Sequence, residues 1–140
     1  MTKEDRIINE IVSNGMLEEY KPTIMQIAKL VSERKFSIAP KYNDFTSSVD
    51  WHSKLIRLSL KDSSKGKKIL WDLLHELGHL IDGEVSNHLH GEELVFREMS
   101  AWANAKEIMR QLPVFNLDEE EFDLYSNFCL DTYRDFIKGV

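Results

Sequence analysis

Cysteine is almost missing from this 140-residue chain: Cys129 stands alone, so no disulfide can form within it, which fits a reducing compartment. Long apolar runs are missing as well. None approaches the ~20 residues that a membrane span requires, and the first residues, Met1-Thr2-Lys3-Glu4-Asp5-Arg6, are charged with no hydrophobic signal region. Positive charge is scarce: 18 Lys and Arg face 24 Asp and Glu, for a net charge of −6. Phosphate binding needs clustered cations, so a nucleic-acid surface is excluded. The one basic run, Lys61 to Lys68, is broken by Asp62, Ser63, Ser64 and Gly66 and reads as a solvated loop. Repeats, low-complexity tracts and linkers are absent too. The expectation is a single cytoplasmic domain over 1–140, with neither membrane nor nucleic acid as partner.

What is present is an ordinary globular composition, 42% apolar and 30% charged. A chain this long buries about two-thirds of its unfolded surface. Its centre is Trp71-Asp72-Leu73-Leu74-His75-Glu76-Leu77-Gly78-His79-Leu80-Ile81-Asp82-Gly83. Within it, His75-Glu76-Leu77-Gly78-His79 is an H-E-x-x-H pattern. On a helix, histidines four apart lie one above the other on one face and can take two corners of a zinc tetrahedron. Glu76 sits about 100° round the helix, within reach of a metal-associated water without being a ligand. The surrounding residues are densely apolar, which predicts a helix buried on most sides over about 67–81. A single polar stripe, Asp72, His75, His79 and Asp82, runs through it. Buried polar groups need partners, and a metal supplies them.

Around this helix the chain predicts an α+β domain. Thr2 caps a helix over about 3–12, ended by Asn14-Gly15, and Pro22 opens a second helix with Ile24, Ile27, Ala28 and Val31 on one face. A strand over Phe36 to Ala39 is halted by Pro40, and another lies near Val49 to His52. Lys54 to Leu60 alternates, with Ile56, Leu58 and Leu60 on one face and Arg57 and Ser59 on the other. Further helices span about 92–111 and begin at Asp118, where Glu121 completes a capping box and Leu117 staples to Phe122. Phe122, Tyr125, Cys129, Tyr133 and Phe136 form the inner face of this last helix, which makes Cys129 a core residue.

A catalytic zinc takes three protein ligands. Histidine six residues after His79 would define one peptidase class, and that position is Val85. His88 and His90 lie in a polar loop. Glu98 is the sharper candidate. It falls on the apolar face of its helix, among Leu94, Ala101, Trp102 and Ala105, and a carboxylate facing a core needs a cation. The small residues Gly78, Ala101 and Ala105 would let the two helices approach closely.

With two motif histidines and a downstream helical glutamate, the chain resembles the gluzincin metallopeptidases and, more narrowly, the ImmA/IrrE family. The resemblance covers about 22–113. It rests on Thr23-Ile24-Met25-Gln26-Ile27-Ala28-Lys29-Leu30, on Lys54 to Leu60, on Leu74 to Asp82, and on Glu98-Met99-Ser100-Ala101 with Trp102-Ala103-Asn104-Ala105. Ser100 and Trp102 depart from it: the family often has an acidic residue and an asparagine near that alanine. Thermolysin-like enzymes orient a histidine with an aspartate where Trp102 stands, a role open here to Asp72 or Asp82. The resemblance implies a minimal zincin-like domain, with a helical part over about 1–35, a core with a small mixed or antiparallel sheet over about 36–113, and a C-terminal helix over about 118–138. It implies zinc held by His75, His79 and Glu98, with Glu76 as the base. The substrate it implies is a protein, a regulator of a phage, a mobile element or a stress response, with a helix-turn-helix repressor as one such partner. Lys54 to Leu60 would receive an extended substrate if it is an edge strand, and His88, His90, Tyr125 or Tyr133 would stabilise the oxyanion. The competing expectation is a catalytically silent zinc module that binds a repressor or antitoxin.

Overall fold

Among the described residues the order of elements is helix, helix, three strands and three helices. The structure, a computed structural model, describes residues 1–85, 89, 91–112 and 118–138. Helix α1 (Lys3–Gly15) opens on a reciprocal cap: the Thr2 hydroxyl accepts from the Asp5 amide at 3.0 Å, and the Asp5 carboxylate accepts from the Thr2 amide at 3.1 Å. The helix runs through Gly15, beyond the expected end near Val12, and Met16 takes the left-handed cap conformation at φ 54°. Helix α2 (Lys21–Glu33) carries Pro22 in its first turn, where the missing N–H has no intrahelical partner to lose. Ile24, Ile27 and Val31 are buried, as their spacing predicts.

The sheet is small and mixed. β1 (Ser37–Lys41) pairs parallel with β3 (Leu55–Ser59), and β2 (Ser48–Asp50) pairs antiparallel with it, in the order β1-β3-β2. Ile38 and Val49 both lie opposite Ile56. Pro40 falls inside β1 rather than ending it. An edge strand tolerates proline, because an N–H facing away from the sheet is not needed. The strand expected to receive a substrate, β3, is central and hydrogen-bonded on both sides, so it has no free edge. The edges of the sheet belong to β1 and β2, and β2 is the one that lines the cleft beside His75 and His79. Ser59 also departs from its expected outward position: it is buried, with its hydroxyl donating to the Asp44 carbonyl at 2.7 Å.

Helix α3 (Lys68–Asp82) is the hydrophobic centre. Ile69, Leu70, Leu73 and Leu74 are fully buried, and burial of each such side chain stabilises by roughly 2–3 kcal/mol. Helix α4 (Glu92–Gln111) crosses it at close quarters. A Cβ on Gly78 would overlap the carbonyl oxygen of Ala101, so only glycine allows this approach. Asn104 donates from Nδ2 to the Gly78 carbonyl at 3.1 Å and to Asp82 Oδ1 at 2.9 Å, fixing the crossing. Helix α5 (Glu119–Lys138) starts where Asp118 Oδ1 accepts from the amides of Glu120 and Glu121. The Glu121 side chain pairs with Lys67 at 2.7 Å, and Leu117 lies outside the described residues. The architecture is α+β, and no described helix is long and apolar enough to cross a membrane.

Candidate metal centre

Helical spacing on α3 puts His75 and His79 on one face, and the α3–α4 crossing brings Glu98 against both. The Glu98 carboxylate lies 2.7 Å from Nε2 of His75 through Oε2, and 3.3 Å from Nε2 of His79 through Oε1. The three side chains offer ligand atoms that all lie within 4.8 Å of one another. A tetrahedral zinc with bonds near 2.0–2.1 Å separates its ligand atoms by about 3.3 Å, so the cluster sits close to the spacing a metal would impose. The group is chemically suited to hold a metal ion: two imidazoles and one buried carboxylate.

Without a metal, a proton does the neutralising. Burial alone would lower the pKa of His75, but hydrogen bonds and charge from Glu76 and Glu98 outweigh it and raise the value to about 9. Burial would raise that of Glu98, yet its bonds to the two histidines bring it down to about 2. His75 is thus held as a cation between carboxylates. A divalent cation would displace this proton.

Glu76 is buried and lines the same cleft, with Oε2 2.9 Å from Nδ1 of His75. The cleft holds about 250 Å3 and has two walls. One is helical, made by His75, Glu76, His79, Arg97 and Glu98; the other is made by Ser47, Ser48, Val49 and Trp51, on and beside β2. Tyr133 reaches the cleft from α5. Burial, followed by the negative charge of Glu98, raises the pKa of its hydroxyl. Larger grooves lie elsewhere, including one of about 550 Å3 between α2 and α4, but none of those brings metal-ligand types together among the described residues.

Asp72 and Asp82, the candidates for orienting a histidine, are engaged elsewhere. Asp72 accepts from the Tyr125 hydroxyl at 2.7 Å and from Lys65 at 3.0 Å, and burial raises its pKa. Asp82 accepts from Ser100 at 3.0 Å and from Asn104. The position four after Glu98 does contribute: the Trp102 ring stacks on His75 at 4.2 Å and 10°. Tyr125 is spent on Asp72 and does not line the cleft, and His88 and His90 lie outside the described residues. Cys129 is half-buried, with burial pushing its thiol up to about 11. It stays protonated and inert.

Arg97 and Trp51 are among the cleft residues that the sequence pattern does not mark. Arg97 lines the cleft while donating to the Gly83 carbonyl at 2.7 Å. Trp51 faces the cleft because of β2 pairing, for which the sequence carries no local signal. Compared with protein-family models, with curated proteins and with solved structures, the chain matches none.

Proposed function

We propose that this chain is a zinc-dependent metallopeptidase of the gluzincin kind, similar to the ImmA/IrrE family, that hydrolyses a peptide bond in a regulatory protein. The observation that carries the proposal is the convergence of His75, His79 and Glu98 in a cleft that Glu76 also lines. Zinc held there would supply a Lewis acid and make water acidic enough to lose a proton near neutral pH. Glu76 binds Nδ1 of His75 through Oε2, which leaves Oε1 to take the proton of the attacking water and return it to the leaving amine. Tyr133 is the cleft hydroxyl that would donate to the carbonyl oxygen as negative charge develops there. The free edge of β2 would align an extended substrate by strand addition.

A second class of function draws support from the same contact. Because Glu76 already has a structural partner in His75, its presence does not by itself demand catalysis. The chain would then be a zinc-bearing module that binds a repressor or antitoxin intact. Incubation of zinc-loaded protein with regulators encoded beside it, helix-turn-helix repressors first, separates the two. Wild type is expected to cleave, and Glu76→Gln to keep zinc while losing cleavage. Equal cleavage by the variant removes Glu76 as base, and a partner recovered intact from wild type after long incubation favours the binding module.

A further inference from the structure

The His75 ring must be held in one plane if its Nε2 is to point at Glu98 and a metal. Imidazole ligands ordinarily achieve this through a carboxylate or carbonyl on the other ring nitrogen. Here that nitrogen faces Glu76, the residue the proposed chemistry needs free to move protons. Asp72 and Asp82 are committed to other partners. What does hold the ring is an aromatic face.

Trp102 lies one turn after Glu98, so α4 presents both residues on one side. Glu98 meets the Nε2 edge of His75, while the indole lies flat on the ring at 4.2 Å and 10°. The indole is itself locked. Phe122 contacts it edge-on at 5.7 Å and Tyr125 at 5.9 Å, and Tyr125 is tied to Asp72. Trp102 is buried, and its ring N–H has no hydrogen-bond partner. An orphaned donor is a cost that phenylalanine or leucine would avoid at this position. The retained indole face is electron-rich, and stacking on it favours an imidazole that carries positive charge, whether from a proton or a metal.

We propose that Trp102 is a positioning residue for the metal centre, its stacked indole fixing the His75 ring in place of an orienting aspartate. This rests on the metal-centre reading of the cluster and is independent of peptide hydrolysis. The test is a titration of metal-free protein with Zn2+ against a chromophoric chelator, for wild type, Trp102→Phe, Trp102→Leu and Trp71→Phe. Trp71 is a second buried tryptophan with an unpartnered N–H, on the same aromatic cluster but not on His75. Loss of an orienting contact typically costs 10–100-fold in metal affinity, so Trp102→Leu should bind at least about tenfold more weakly. Trp102→Phe, which keeps an aromatic face, should recover most of this, and Trp71→Phe should leave affinity unchanged.

Co2+ supplies a second readout that survives if the leucine variant fails to fold. With Trp51, which also lines the cleft, replaced by Phe throughout, bound Co2+ should quench tryptophan emission in the otherwise wild-type protein and in Trp71→Phe, and quench it far less in Trp102→Phe. Wild-type affinity in a folded Trp102→Leu, equal weakening by Trp71→Phe, or unchanged quenching in Trp102→Phe would each overturn the proposal. Absence of Zn2+ binding by wild type would sink it together with the metal centre. Zinc binding without any cleavage would touch only the peptidase function.

Discussion

The two walls of the cleft are built on different principles. On the helical wall, His75, His79 and Glu98 are held by two helices in backbone contact, laced by Asn104, Ser100 and Arg97. His79 and Glu98 are buried and His75 is half-buried, and each of the three has a partner on the other helix. The opposite wall is a three-residue edge strand, β2, joined to the sheet on one side only. Its residues are part-exposed, and its anchors are the Asp50–Arg57 pair and Ser47, which accepts from the Ser59 amide at 2.9 Å. One wall therefore holds its side chains between two closely packed helices, and the other offers strand backbone paired on one side only. A metal site needs the former and a peptide channel the latter.

The largest expected effect breaks the rigid wall. Gly78→Ala puts a methyl group into the backbone of Ala101, which cannot swing aside as a side-chain tip can. Overpacking a core ordinarily costs 1–3 kcal/mol, and a backbone clash at a helix crossing belongs at or above the upper end, about 3 kcal/mol. Chemical denaturation should show that loss, with zinc affinity falling as Glu98 is pushed from the histidines. A variant as stable as wild type would mean that α3 and α4 are free to separate.

A smaller effect sharpens the contrast through pH, because the histidine–carboxylate cluster lies on the helical wall. The raised pKa of His75 gives metal-free protein a stabilisation fully present below its ordinary value of 6.5, lost as pH rises through about 9. Glu98 contributes the reverse: its depressed pKa stabilises above the ordinary value of 4.5, and the contribution is lost as pH falls through about 2. Metal-free protein should therefore lose melting temperature as pH rises from about 6.5 to 9. Zinc affinity should rise over the same window, because the metal no longer competes with the His75 proton. Calorimetry in buffers of different ionisation enthalpy should register a released proton.

The same contrast explains what could be read from the residues alone. Helical periodicity is local, so H-E-x-x-H and the inward position of Glu98 identified the rigid wall, and Gly78 with Ala101 foretold the close crossing. The edge wall depends on which strand sits beside β3, a long-range pairing that no alternation in three residues encodes. This is why the condition that β3 be an edge strand could not be decided from the residues, and the pairing puts it in the centre. Asp72 shows a second limit. A stripe position proves that a polar group is buried but does not name its partner, and Tyr125, from a helix far along the chain, took that place. Trp102 stood out only as a departure from a pattern, because stacking on a histidine has no signature in spacing.

The smallest effect tests whether the walls are independent. Asp50 is half-buried at the strand's end, and bonds from the Ser53 amide and Arg57 lower its carboxylate to about 2. Asp50→Asn keeps the side-chain shape and removes the charge that holds Arg57, so β2 should loosen while α3 and α4 are untouched. Surface ion pairs contribute little to global stability, so the melting temperature should move far less than in Gly78→Ala. Amide exchange is the measurement that resolves the two regions: Val49 should exchange faster, and Leu74 to Leu80 should keep wild-type rates, with zinc affinity unchanged. If the α3 amides accelerate in step with Val49, the strand braces the metal helix, and the site is one cooperative unit rather than a rigid wall facing an adaptable one.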